Sequence, residues 1–391
     1  MSLRRFFAHS VFATSFVLAA SAVTGCSSAS TDDGGESGSA AATQARPPQF
    51  VLLAFDGSYN NAFWAESRAF AKANPLKFTY FVNSVYYVAR PNNASYSAPQ
   101  HKAGLSNIGW GDDREDIATR LEQTRLAHAE GNEIGSHTAG HFDGSTWSEA
   151  EWTTEFDSFE KMFWNAPKTA GLPAINMGFT QDDIKGFRAP QLGFSAGLYK
   201  TLAKKGFTYD TSKSGAPNHW PDKQNGVWNF PLAQLRIVGS GKSTLSMDYN
   251  FFFADSKGVN DPNTEHHAVF EKQAVDTYMQ YFQSNYFGNR APIHLGHHFS
   301  KWNGGAYWNA MQTVAKRVCS LPEVKCITYG DLVKFVEENS SSLADYQAGN
   351  FPKMARPPSS SNDNEAVQAV DPSELPPPDA HGAHDDAPLG E

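Results

Sequence analysis

The 391-residue chain has only three cysteines, Cys26, Cys319 and Cys326. No two of them stand in a Cys-x-x-Cys spacing, which argues against a zinc site built from cysteines. Positive charge is also scarce: 32 Lys and Arg stand against 41 Asp and Glu, a net charge of −9. A duplex nucleic-acid binder needs a basic, phosphate-neutralising face, so that class is disfavoured. Charged residues make up 19% and hydrophobic residues 40%, which places the chain among globular proteins rather than disordered ones. Between Phe50 and Tyr346 there is no Pro/Gly-rich linker and no internal repeat, so nothing marks a second domain. Aromatic residues are abundant, with 28 Phe, 14 Tyr and 9 Trp. Because Phe dominates, a large core is the first explanation and a sugar-binding cleft the second.

Arg4 and Arg5 precede a run from Phe6 to Ala22 that is almost wholly apolar or small. This reads as a secretory signal over residues 1–25, too short and wrongly flanked for a membrane-spanning helix. It ends in Val23-Thr24-Gly25-Cys26, which resembles a bacterial lipobox. The resemblance implies lipidation of Cys26 and a membrane-anchored lipoprotein. Ser27 directs it toward the outer membrane, facing the periplasm or the surface. The plainer alternative is an ordinary signal peptide with a chance cysteine. Removing Cys26 leaves Cys319 and Cys326 as an even pair in an exported protein, where a disulfide persists. Two buried thiols are the alternative. Residues 26–48, rich in Ser, Gly, Ala and Asp, read as a flexible tether. Residues 347–391 turn Pro-, Ser- and acid-rich and read as a disordered tail. The domain then spans 49–346.

Within it, short apolar runs alternate with amphipathic stretches. Strands are expected at Phe50 to Phe55, Lys77 to Val82, Glu133 to Ser136, Gly186 to Arg188, Phe207 to Tyr209, Leu235 to Val238, Pro292 to Leu295 and Val324 to Thr328. Helices are expected between them, including one opened at Ser148 with Glu151 at capping-box spacing. Repeated β-then-α order is the pattern of a parallel sheet or a (β/α) barrel of seven or eight units. Asp56, His137, Arg188, Asp210 and the His297-His298 pair each follow an expected strand. In a barrel those ends converge on the face where chemistry is done.

His137-Thr138-Ala139-Gly140-His141 sets two imidazoles four residues apart, a spacing able to close on one metal ion. Ordinary core histidines would give the same spacing. Asp56 ends a wholly apolar run, so its carboxylate stands at the rim of a buried strand. There it can bind a metal, take a proton from water, or cap the helix that follows. Arg188 is a fork-shaped cation, stiffened by Pro190, that can orient Asp56 through a bidentate bond. In strand alternation His294 and His298 share a face and His297 takes the other. One of them can act as a general acid.

The ordered set Phe-Asp-Gly at 55–57, His137 to His141, Arg188-Ala189-Pro190, Tyr209 to Ser212 and a late histidine resembles the polysaccharide deacetylases, the NodB-homology carbohydrate esterases. The closest likeness is to their chitin-deacetylase-like branch, because Asn289-Arg290-Ala291-Pro292 through His298 to Trp302 looks like its last motif. The resemblance implies a distorted (β/α)7–8 barrel. It also implies metal-dependent removal of acetyl groups from an amino-sugar polymer of the cell envelope, peptidoglycan or a chitin-like glycan. Carried over residue by residue, Asp56 is the base and His137 and His141 are metal ligands, zinc being the first choice of ion. Arg188 braces the base, and His298 is the acid with His297 as second choice. One position departs from the family. Its first motif has two aspartates, and here Gly57 replaces the metal-binding one. Asp248 is a candidate replacement carboxylate, though the sequence does not place it in the cleft. The departure keeps a second reading open, a non-catalytic glycan-binding lipoprotein on the same fold. A third is an amide hydrolase of the same superfamily acting on a small molecule.

Overall fold

The computed structural model describes residues 45–357 and 365–375. The expected signal, Cys26 and most of the expected tether lie outside these residues. The described residues fall within one compact unit.

The strands are β1 (Gln49–Asp56), β2 (Phe78–Val82), β3 (Glu133–Ser136), β4 (Gly186–Phe187), β5 (Tyr209–Asp210), β6 (Ser214–Gly215), β7 (Asp222–Gln224), β8 (Val227–Asn229), β9 (Leu232–Arg236), β10 (Ser243–Leu245), β11 (Ile293–His298) and β12 (Val324–Cys326). The helices are α1 (Asn61–Ala73), α2 (Arg114–Ala129), α3 (Glu149–Thr169), α4 (Ala196–Lys205), α5 (Asp248–Ser256), α6 (Thr264–Tyr286), α7 (Trp302–Val318), α8 (Tyr329–Glu338) and α9 (Leu343–Ala348).

The main sheet runs β11-β1-β2-β3-β4-β5-β8-β7, parallel from β11 to β8, with β12 paired to the start of β1. β7 joins antiparallel. A smaller sheet, β10-β9-β6, continues from it, and Met247 bridges to Gly296 of β11. This curled sheet with flanking helices is the distorted (β/α) barrel expected from the alternating pattern.

β1 is buried along its whole length, as a central parallel strand covered on both faces must be. Its side chains divide by parity. Val51, Leu53 and Phe55 join the larger core cluster toward the helices. Phe50, Leu52 and Ala54 join a second cluster, inside the curl, with Phe81, Tyr209, Phe230 and Tyr329. Asp56 continues the inner series 50, 52, 54. On β11, Ile293 and Leu295 belong to the helix-side cluster, so His294, Gly296 and His298 face inward and His297 faces outward.

Local signals set the helix ends. Asn60 accepts from the amides of Ala62 and Phe63 and starts α1, a cap typically worth about 1 kcal/mol. Ser148 and Glu151 form the expected reciprocal capping box on α3. That helix runs on through Pro167, because Met162, Phe163 and Ala166 keep its apolar face buried. The expected pair of cysteines is a disulfide, Cys319–Cys326, tying the end of α7 to β12. Past Tyr346, contacts with the domain continue. Phe351 is buried, the Ala366 amide donates to Gln280, and Glu374 pairs with Arg236 at 2.9 Å. The packed edge thus reaches beyond the boundary that composition marks.

Candidate functional site

The site lies where the parallel strands end. Asp56 is the last residue of β1 and pairs in register with His298 on β11 and Phe81 on β2. The ladder continues one step past each short strand: the His137 amide donates to the Val82 carbonyl and the Arg188 amide to the Ser136 carbonyl. These bonds fix where each side chain leaves the backbone.

Arg188 is fully buried, and each arm of its guanidinium has a partner. Nη1 donates to Asp56 Oδ1 at 2.7 Å, Nη2 to the Thr211 and Tyr329 hydroxyls, and Nε to the Thr211 carbonyl. Its plane lies over the Phe81 ring, 4.7 Å from the centroid. The contact with Asp56 is one-pronged, not the expected bidentate fork, because the second arm serves Thr211 and Tyr329. Gly296 leaves room for this guanidinium, since a Cβ there would stand 3.3 Å from Nη1. The only sequence signal for it is that a glycine inside a strand often marks such a close approach.

His137 and His141 are both buried, with ring centroids 4.9 Å apart. His137 Nδ1 lies 2.7 Å from the Arg188 carbonyl. A carbonyl only accepts, so Nδ1 carries the proton and Nε2 keeps its lone pair. Burial pushes His137 down to about 3, opposed by the bond to the Arg188 carbonyl and helped by the Arg188 and His298 charges. His141 is held well below its ordinary value by burial, then by His137 and His298, with Asp56 opposing. Both rings are therefore neutral at pH 7, the form that binds metal. His141 Nδ1 is buried without a hydrogen-bond partner.

Asp248, whose place was open in the sequence, is the first residue of α5 and is buried against the end of β11. Its Oδ1 accepts from His298 Nδ1 at 2.7 Å and its Oδ2 from the His298 amide at 2.8 Å. Burial pushes this carboxyl up, but His298 and His297 outweigh that and hold it below the ordinary carboxylate range. His297 is the outward-facing neighbour, ringed by Phe55 and Tyr278, with Nδ1 3.6 Å from Asp248 Oδ2. His294 sits deeper, beside Tyr329 and Phe230. Asp210 is at a strand end as expected, but its oxygens are taken by Tyr199, the Ser212 hydroxyl and the Ser212 amide. Ser212 in turn holds the Ala189 amide, so Asp210 shapes the turn after Arg188.

Two imidazoles with available nitrogens match half of a tetrahedral metal shell. Among the described residues, no group of three His, Cys, Asp or Glu side chains is arranged to hold one ion. Gly57, where the family resemblance implies an aspartate, follows Asp56 at φ +77°, and a Cβ there would meet nothing within 4 Å. The donor set fits an ion held by two protein bonds with the remaining positions open, a weaker site than the usual three-ligand centre.

A family model described as "Polysaccharide deacetylase" matches residues 43–209. Among solved structures, the chain resembles a Mycobacterium smegmatis protein provisionally named a polysaccharide deacetylase. Identity is 12% and the TM-score 0.49, over 81% of this chain and 99% of that one. It also resembles a mutant of the Bacillus subtilis peptidoglycan deacetylase, at 13% identity and TM-score 0.40, covering 75% and 94%. A third is a carbohydrate esterase family 4 pseudoenzyme from Bacillus anthracis, at 11% and 0.39, covering 73% and 66%. No curated protein matches the sequence. These likenesses are distant, and none assigns a role to a residue here. The family match, by contrast, spans Asp56, His137, His141 and Arg188 together, within residues 43–209.

Proposed function

We propose that the domain hydrolyses acetyl groups from an acetylated glycan. One observation carries this reading. An arginine-braced carboxylate, Asp56, and a carboxylate-braced imidazole, His298, end neighbouring strands within electrostatic reach of the His137–His141 pair. That supplies a base, an acid and two metal donors at one site, the parts that hydrolysis of an amide or ester needs.

His137 and His141 are the residues that would hold a divalent ion, zinc first, which when bound polarises the acetyl carbonyl and acidifies a water. The remaining roles belong to the chain itself. Arg188 holds Asp56 through Oδ1 and leaves Oδ2 to take the proton from the attacking water. The water oxygen bonds to the acetyl carbon, and the bond to the sugar nitrogen or oxygen breaks. His298, oriented by Asp248 through Nδ1, gives a proton from Nε2 to the departing atom. Each proton transfer of this kind typically contributes about 10²–10⁴ in rate. Acetate release from N-acetylglucosamine oligomers, peptidoglycan and acetylated xylan tests the reading. Release by the wild type and its loss in Asp56→Asn is expected. Equal rates in the two proteins would sink it.

The open position at Gly57 favours a second reading, glycan binding without hydrolysis. Saturable glycan binding with no acetate release from any polymer, at any divalent loading, would establish it instead. We also propose that the activity works at the cell envelope, through a lipid on Cys26. Cys26→Ser should then move the protein out of the membrane fraction, and an unchanged distribution would contradict the anchor.

A further inference from the structure

The loop that carries the two histidines is bent in an unfavourable way. Thr138 has φ 62° and His141 φ 60°, both left-handed without being glycine. Such residues persist only where the surroundings hold them. Between them, the amides of Ala139 and Gly140 point away from the cleft and into the domain.

Both amides end on one side chain. Glu155, on α3 and fully buried, accepts from the Ala139 amide at 2.9 Å and the Gly140 amide at 3.3 Å, both at Oε1. Tyr96 donates its hydroxyl to the same carboxylate, 2.9 Å from each oxygen. The Tyr96 ring also fills the space over Gly140, where a Cβ would meet it at 2.5 Å. The carbonyls are held from other sides. Asn107 donates from its backbone to Gly140 O and from its side chain to His141 O, and Gln191 adds a second bond to His141 O. Only Glu155 lies beneath both inner amides. It is one of the few buried carboxylates that neither the catalytic scheme nor an ion pair uses, and its bonds go to the segment that sets the spacing of His137 and His141.

We propose that Glu155 is the positioning residue of the paired-histidine loop, holding the two inner amides so that His137 and His141 meet at one point. The proposal rests on the reading of these histidines as working site residues. Glu155 touches no substrate and acts through the backbone.

Three variants and one exchange measurement test it in the full chain. Amide hydrogen exchange should show Ala139 and Gly140 protected in the wild type. Exchange there at the rate of an open loop would overturn the proposal before any variant is made. Glu155→Gln keeps an acceptor oxygen of the same reach, so exchange protection and kcat for acetate release should stay within about threefold. Glu155→Leu keeps the volume and removes the acceptor. Protection at both amides should vanish and kcat should fall about 10²-fold, the cost of a site displaced by roughly 1 Å, with KM little changed. Cobalt(II) affinity should fall in parallel. If Glu155→Leu does not fold, Glu155→Asp decides, because the shorter arm keeps the charge but cannot span both amides and should lose kcat similarly. A folded Leu or Asp variant with wild-type kcat and cobalt affinity would overturn the proposal, as would equal losses in Gln and Leu. If the wild type releases no acetate at all, the proposed function fails, while exchange and cobalt binding still read the loop.

Discussion

A guanidinium as fully buried as that of Arg188 is tolerable only because every arm ends on an acceptor and its charge meets Asp56. Removing it strands a buried carboxylate, which typically costs about 3–5 kcal/mol. Arg188→Met should therefore lose both stability in urea titration and acetate release, whereas stability equal to wild type would show the pair to be ornamental. Asp248 makes a separable claim. Asp248→Asn turns one of the two oxygens that hold His298 into an N–H donor and removes the charge facing the ring, and kcat should fall about 10²-fold or more. Unchanged kcat would remove His298 from the acid role. Gly57 gives a gain-of-function test. The position has room for a side chain, and aspartate is among the residues that tolerate left-handed backbone, at about 1 kcal/mol. Gly57→Asp should tighten zinc binding measured by calorimetry, and unaltered affinity would mean that the open position does not face the ion. At this scale the sequence was most informative where a residue ends an apolar strand, as Asp56 does. It offered Asp248 without placing it in the site and was silent on Glu155, because their importance arises from contacts 50 and 16 residues away in the chain.

At the scale of elements, strand parity did most of the work. The alternation that makes β1 two-faced also separates His298 from His297, and the outward ring of His297 among Phe55 and Tyr278 settles which one faces the cleft. Long buried strands were readable because a strand covered on both faces becomes a continuous apolar run. The two-residue strand β6 and the short helix α5 were not. They are held by partners distant in sequence rather than by any periodicity of their own. Likewise β11 extends to His298, past the expected Leu295, because pairing with β1 outweighs the polar character of its last residues. The Cys319–Cys326 bridge closes a short loop, with a sequence separation of 7. By chain entropy it contributes about 2.5 kcal/mol. Cys319→Ser with Cys326→Ser should lower the unfolding free energy by roughly that amount, and a change near zero would mean that β12 is held by its ladder to β1 alone.

For the whole molecule, the repeated β-then-α order was enough to foresee the curled sheet. The polar column inside it was not, since it is assembled from strands far apart in the chain. That column has a pH consequence. Burial, acting first, pushes His137 and His294 down to about 3 each. The unfolded chain takes up a proton on each near pH 6.5. Between those values the unfolded state binds more protons, so stability is full above about pH 6.5 and is lost as pH falls, by up to ~1.4 kcal/mol per unit for each group. Urea midpoints should drop from pH 7 to pH 5, and His294→Gln should drop less steeply. Parallel slopes would show that His294 is not buried as a neutral ring.

The most direct test of the account is the rate of acetate release from an acetylated glycan as zinc or cobalt is titrated into metal-free protein, beside His137→Ala. The account predicts a rate that rises from near zero and saturates with the ion, at higher concentration than a three-ligand site would need, and no such rise in the variant. A full rate without metal, or an unchanged titration in His137→Ala, would contradict it.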